Sequence, residues 1–300
     1  MLFSEWFALK AALPTSCFII AFAPSIAFFL KFVAVDSLRV ILVVMAAFVW
    51  MLSLLLSAII RFFLVYIVES FVLETFISIA LQEISRLVLF VLIKQAQRGL
   101  RTLSEENTKV AGIDSLYRSR HMLSLVCGLG MGASAALFLL LNLIAGLYEG
   151  GTIGLPATIP ELSDRMAVKL TVEDRFFPIT YSASCGVLTV LHMAWTLLFW
   201  DSCHKYSLKE QSWWFGMLIA VSSHYIASGV SFLNVFLTRN VVLFVQIVVL
   251  LLNIMCCSYI VRNGKGGIFG CGRRNGGDST VQSVRDENGD VHVEQRDLST

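Results

Sequence analysis

The sequence predicts an all-α polytopic membrane protein: a seven-transmembrane helix bundle with its N-terminus lumenal or extracellular and its C-terminus cytoplasmic. Three observations predict it. Of 300 residues, 57% are hydrophobic and only 15% charged, with a mean hydropathy of +0.76, values foreign to an ordinary soluble domain. The apolar residues gather into seven runs, each able to cross about 30 Å of hydrocarbon as a helix. Between the runs, fourteen basic residues fall on the side of the tail and six on the other, the asymmetry that places the richer side in the cytoplasm. A net charge of +2 with no continuous basic patch offers no nucleic-acid surface. The lipid bilayer is the first partner implied.

The first span covers residues 13–35. It is too long for a signal-peptide core, and the next span follows at once, so it reads as an uncleaved helix. Pro24 lies mid-span and is expected to kink it. Asp36 resembles an N-cap for the second span, 38–67, in which Arg61 marks the far interface. The third span, 71–93, is interrupted by Glu74, Gln82, Glu83 and Arg86 and leads into a polar loop reaching Arg120. The fourth, 122–148, carries Gly128, Gly132 and Ala136 at four-residue spacing, so they share a helical face that lets a neighbouring backbone approach closely. Gly130 and Ser134 lie on the opposite side, which makes this helix thin almost all round and suited to the middle of a bundle.

A hydrophilic interval over 149–175 follows, with more acids than bases and prolines at 156 and 160. The fifth and sixth spans, 176–200 and 213–233, are joined by a loop over 201–212, and Trp200, Trp213 and Trp214 gather at one water interface. The seventh span is 241–261. Residues 262–300, rich in Gly and charge, read as a disordered cytoplasmic tail.

Seven cysteines, five of them within apolar runs and none in a CxxC pair, form neither a disulfide framework nor a zinc site. No cofactor or metal site is implied. Glu83 and Arg86 share a helical face and can pair, which lowers the cost of holding either in hydrocarbon. Counted from the lumenal ends of their spans, Glu83 lies about 18 Å deep, Arg86 about 22 Å, His192 about 24 Å and His224 about 14 Å. A shared polar pocket among the third, fifth and sixth helices is therefore expected. Two readings stay open: a Glu/His hydrolase site that activates water or binds a metal, and a hydrogen-bonded network that fixes helix register and offers partners a polar socket. No Gly-x-Gly-Asp or Tyr-Asp pair lies in a span, as two-aspartate intramembrane proteases need. His-Glu-x-x-His and Gly-x-Ser-x-Gly are also missing, as are the Asp/Glu-Arg-Tyr and Asn-Pro-x-x-Tyr signatures of seven-helix receptors.

Residues 22–27, Phe-Ala-Pro-Ser-Ile-Ala, resemble the first-helix Pro motif of the anterior-pharynx-defective (Aph) subunit of gamma-secretase. Residues 36–41, Asp-Ser-Leu-Arg-Val-Ile, are similar to that family's Asp-Pro-Leu-Arg-Val-Ile, with Ser37 in place of proline. Leu81-Gln82-Glu83 with Arg86 resembles its third helix, and Gly128, Gly132 and Ala136 fall on its glycine stripe. His192 with Trp195, Asp201 and Cys203, and Ser223-His224 through Ser228-Gly229 to Phe232-Leu233-Asn234, look like its fifth and sixth helices. The resemblance implies a non-catalytic scaffold in the endoplasmic reticulum, Golgi and plasma membrane. It implies assembly with nicastrin, presenilin and the presenilin enhancer, for cleavage of Notch- and amyloid-precursor-type stubs by presenilin. It also implies that the glycines serve assembly and that Glu83, Arg86, His192 and His224 stabilise the pocket that receives presenilin. A second resemblance belongs to another class: Glu83-x-x-Arg86 with two later membrane histidines is similar to a reduced form of the CAAX-type prenyl-protein endoprotease pattern. There the paired glutamates are replaced by Gln82-Glu83, and Ser228 stands where an Asn is expected.

Overall fold

The computed structural model describes residues 2–64, 66, 70–105, 120–149, 177–232, 239–263, 284–285 and 291–292. Two units separate at Gly270: Met1–Gly270, which holds the helices, and Cys271–Thr300. The loop expected over 106–119, the acidic interval over 150–175 and most of the tail lie outside the described residues.

Among the described residues the first unit holds seven helices, each overlapping one of the apolar runs. α1 spans Leu2–Phe28 and runs on as a π-helical turn, Phe29–Val33. The helix is assigned without a break through Pro24; the local departure from α geometry is the π turn five residues on. Proline has no N–H for the carbonyl four residues back, here that of Ile20. Gly186 from a later helix comes close to that place, since a Cβ on it would lie 3.3 Å from the Ile20 oxygen and 3.2 Å from that of Ala21.

Asp36 caps α2 (Ser37–Leu64) as the sequence implies, its Oδ1 accepting the Leu38 N–H at 3.0 Å. Arg39 pairs with the same carboxylate at 3.3 Å and donates to the Phe32 carbonyl, clamping the α1–α2 corner. At the other end Arg61 meets Glu74 of α3 at 3.2 Å, so Glu74 is the partner of the interfacial arginine rather than an isolated interruption. α3 runs over Phe71–Glu105, twelve residues past the predicted end. Its added turns carry Lys94, Gln95, Gln97, Arg98 and Arg101, residues that favour helix once apolar burial is no longer needed.

α4 (Arg120–Glu149), α5 (Phe177–Ser207), α6 (Trp213–Phe232) and α7 (Arg239–Asn263) complete the bundle. α5 continues through residues 201–207, which the sequence reading gave to a loop, because Asp201 finds Lys205 one turn on at 2.8 Å. It ends where Lys209 takes φ 59° and the Glu210 N–H returns to the Lys205 carbonyl, a left-handed cap of the kind glycine usually supplies. Six of these helices are long and apolar enough to cross a membrane. α6, 20 residues and about 30 Å long, is less apolar because Ser222, Ser223, His224 and Tyr225 interrupt it mid-helix. In the second unit, two-residue strands β1 (Val284–Arg285) and β2 (Val291–His292) pair antiparallel, Val284 opposite His292.

The bundle is built on α5. It packs on α1, α4, α6 and α7 and touches α3, and 72% of its apolar stretch is buried, against 67% for α4 and 22% for α2 and α7. The sequence placed the thin helix α4 at the centre; α4 is instead the layer between α2 and α5. A Cβ on Gly128 would fall 2.6 Å from the Met193 Cα, and one on Gly132 would fall 2.7 Å from the Thr189 carbonyl oxygen, both on α5. One on Gly130 would run into the Val43 carbonyl of α2 and lie 3.0 Å from the Ala46 Cβ. Ala136, fully buried, packs in a cluster with Cys17, Ala21, Phe22 and Cys185 at the α1–α4–α5 junction. The stripe's close approach is thus made within the chain.

These distances separate two glycines on one scale. Gly132→Ala forces backbone apart and is expected to destabilise the purified chain by about 1–3 kcal/mol. Gly229→Ala, whose Cβ meets nothing within 4 Å, is expected to be neutral or to stabilise by up to about 1 kcal/mol through helix propensity. Thermal melts of both variants in one detergent check the contrast; equal losses would contradict it.

Candidate functional site: a buried ionic network joining α3 to α5 and α6

The four ionisable residues picked out from the sequence meet at one place. Arg86 is fully buried and Glu83, His192 and His224 are almost so. One turn of α3 puts Glu83 and Arg86 on the face turned inward; α5 supplies His192 and α6 supplies His224. Nη1 of Arg86 donates to both carboxylate oxygens of Glu83 at 2.5 Å, Nη2 faces Nδ1 of His192 at 3.2 Å, and Nε donates to Oγ1 of Thr196 at 3.2 Å. A guanidinium has only donors, so Nδ1 of His192 accepts and the ring proton sits on Nε2. On the far side of the carboxylate, Nδ1 of His224 donates to Oε1 of Glu83 at 2.6 Å.

A shell of polar and aromatic groups holds this core. The Trp195 ring stacks on His224 with centroids 4.1 Å apart, and the two histidine rings lie edge to face at 5.4 Å. Trp195 donates its indole N–H to Oγ of Ser223 at 2.8 Å; Ser223 in turn donates to Oδ1 of Asn253 on α7 at 3.2 Å. Trp200 Nε1 donates to the Arg86 carbonyl, and Trp50 of α2 donates to Oε1 of Gln82 at 3.2 Å. Thr196 and Asn253 are not among the residues the sequence picks out, and Trp200, expected at the water interface with Trp213 and Trp214, is instead buried with its indole N–H on α3. Thr196 sits four residues after His192, the spacing that puts two side chains on one helical face, and Asn253 is one of two amides, with Gln246, in an apolar run, so both left a signal.

A general base needs a carboxylate lone pair beside a water; Glu83 is almost fully buried, and its oxygens already accept from Arg86 twice and from His224 once. A metal between the carboxylate and His192 would have to displace a guanidinium already bonded to both. Among the described residues no group of three or more His, Cys, Asp or Glu side chains is placed to hold a metal ion.

The residues so arranged lie inside a match to the family model described as Aph-1 protein, which covers residues 12–264. The chain belongs to the Aph-1 family. Across 293 residues, 96% of this chain and 92% of the relative, it is 36% identical to the gamma-secretase subunit aph-1 of Caenorhabditis elegans. It is 27% identical to the mouse gamma-secretase subunit APH-1B over 252 residues, 81% of the chain and 87% of the relative. The zebrafish gamma-secretase subunit Aph-1b is 30% identical over 227 residues, 73% and 77% of the two chains. In this Aph-1 chain the glycine stripe and the ionic network share one wall: Gly128 and Gly132 pack on the turn of α5 that carries His192.

Removing one member of a buried ion pair strands the other, at about 3–5 kcal/mol. Arg86→Ala and Glu83→Ala are each expected to cost that much, and the double variant less than their sum. Arg86→Lys is not expected to rescue, because one ammonium cannot reproduce the planar fork that reaches Glu83, His192 and Thr196 together. Denaturation of the four variants in mild detergent checks this; additive losses, or full rescue by lysine, would contradict it.

Proposed function

We propose that this chain is the non-catalytic assembly subunit of a gamma-secretase complex, holding presenilin with nicastrin and the presenilin enhancer for intramembrane cleavage of Notch- and amyloid-precursor-type stubs. The observation that carries the reading is the 36% identity, across nearly the whole of both chains, to a protein named as a gamma-secretase subunit. The ionic network supports it, since Glu83 is buried and both its oxygens already accept from Arg86 or His224. The CAAX-type endoprotease reading requires Glu83 to activate water, and the same contacts disfavour it.

In this role Glu83, Arg86, His192 and His224 fix the register of α3 against α5 and α6. Gly128, Gly132 and Ala136 hold α4 against α5 and α1, so the face presented to presenilin is set by the chain's own packing. Pro24 loosens the end of α1 near the π turn. The chain sits in the membranes of the endoplasmic reticulum, Golgi and cell surface, with its N-terminus lumenal or extracellular and its tail cytoplasmic, the side with fourteen of the interfacial bases.

The test is to purify the tagged chain from its own membranes in mild detergent, identify what accompanies it, and assay cleavage of a Notch-like stub. Presenilin and nicastrin are expected in the eluate, with cleavage abolished by an aspartyl-protease inhibitor. Activity of the chain in isolation would overturn the reading.

A further inference from the structure

α4 and α7 both lie on α5 but have no substantial contact with each other. Between them a strip of the central helix, Val190 to Leu197, is left as the floor of an open groove of about 390 Å³. Its walls are Leu125 of α4 and Ile254, Cys257 and Val261 of α7. They are almost wholly apolar, apart from two residues one turn apart at one end, Ser258 and Arg262. Arg262 is exposed and forms no ion pair with any described residue.

We propose that this groove binds one acyl chain of an anionic glycerophospholipid whose phosphate sits on Arg262 and Ser258. Three features select that occupant. At about 390 Å³ the groove falls in the range of small-ligand sites. Ser258 aside, the walls offer nothing to a polar ligand along the path of about 12 Å from Ile254 to Arg262. At the end of that path stands a guanidinium with no ion pair among the described residues, at the foot of a transmembrane helix, where anionic headgroups are attracted by about 1 kcal/mol per basic residue. The lipid lies over a stretch of α5 bordered by α4 and α7 and adds to the packing around the bundle's central helix.

The proposal is tested by reconstituting the full chain, with the partners that accompany it, in phosphatidylcholine vesicles carrying a phosphatidylserine probe with a photoreactive acyl chain. Labelled peptides are then mapped. Labelling is expected to concentrate on 190–197 and 254–261 rather than on the exposed faces of α2 and α3. Val190→Trp, which fills the floor, is expected to abolish it there. Arg262→Ala is expected to lower it about fivefold for the serine lipid, the loss that ~1 kcal/mol implies, and to leave a photoreactive phosphatidylcholine unchanged. Even labelling of all lipid-facing helices, labelling indifferent to both variants, a thioester-linked acyl group on Cys257, or crosslinks from a partner's helix in place of the lipid would each overturn the proposal.

Discussion

An arginine in hydrocarbon must bring its counter-charge with it, and much of this bundle follows from how Arg86 meets that requirement. Its fork is shared among Glu83 on its own helix and His192 and Thr196 on α5, and Glu83 passes the contact on to His224 of α6. α3 makes few close backbone contacts with α5 or α6. The third helix is therefore held to the bundle's centre at side-chain length, through groups whose separation in a bilayer would cost several kcal/mol each. Burial of apolar surface cannot do the same work here, because lipid tails are as apolar as the helices they surround.

The other half of the architecture rests on the opposite device, the removal of side chains. Gly128, Gly130 and Gly132 let α4 sit against α5 on one side and α2 on the other at distances no Cβ tolerates. Thr189 uses the approach on the α5 side, donating from Oγ1 to the Gly132 carbonyl at 3.2 Å. Dispersion gains and short polar contacts of this kind are what remain to hold helices together when water is absent. The two devices meet at one turn of α5, where Thr189 and His192 face the glycines and the ring of His192 reaches Arg86. A single helical turn thus couples the thin helix to the ionic network.

Much of this was legible in the sequence for a physical reason: charges and glycines are costly in apolar helices, so each marks a place where tertiary structure compensates. Depth counting at about 1.5 Å per residue puts Glu83, Arg86, His192 and His224 within about 10 Å of one another across the membrane, and they do meet. The partners were less visible. Thr196, Trp200 and Asn253 carry no charge, and nothing in a single run says which neighbour an uncharged polar side chain will find. The central position of α5 was hidden because centrality belongs to the arrangement of all seven helices, whereas thinness is a property of α4 alone. Helix ends were missed where polar sequence stays helical beyond the membrane, as in α3 to Glu105 and α5 to Ser207.

In the proposed role Glu83 is a structural acceptor and takes no part in turnover. The most direct measurement is the rate of stub cleavage per assembled complex with Glu83→Gln, the complex being counted by bound presenilin. The account predicts fewer complexes, each cleaving at the rate of the unaltered one. Normal assembly with cleavage lost would contradict it.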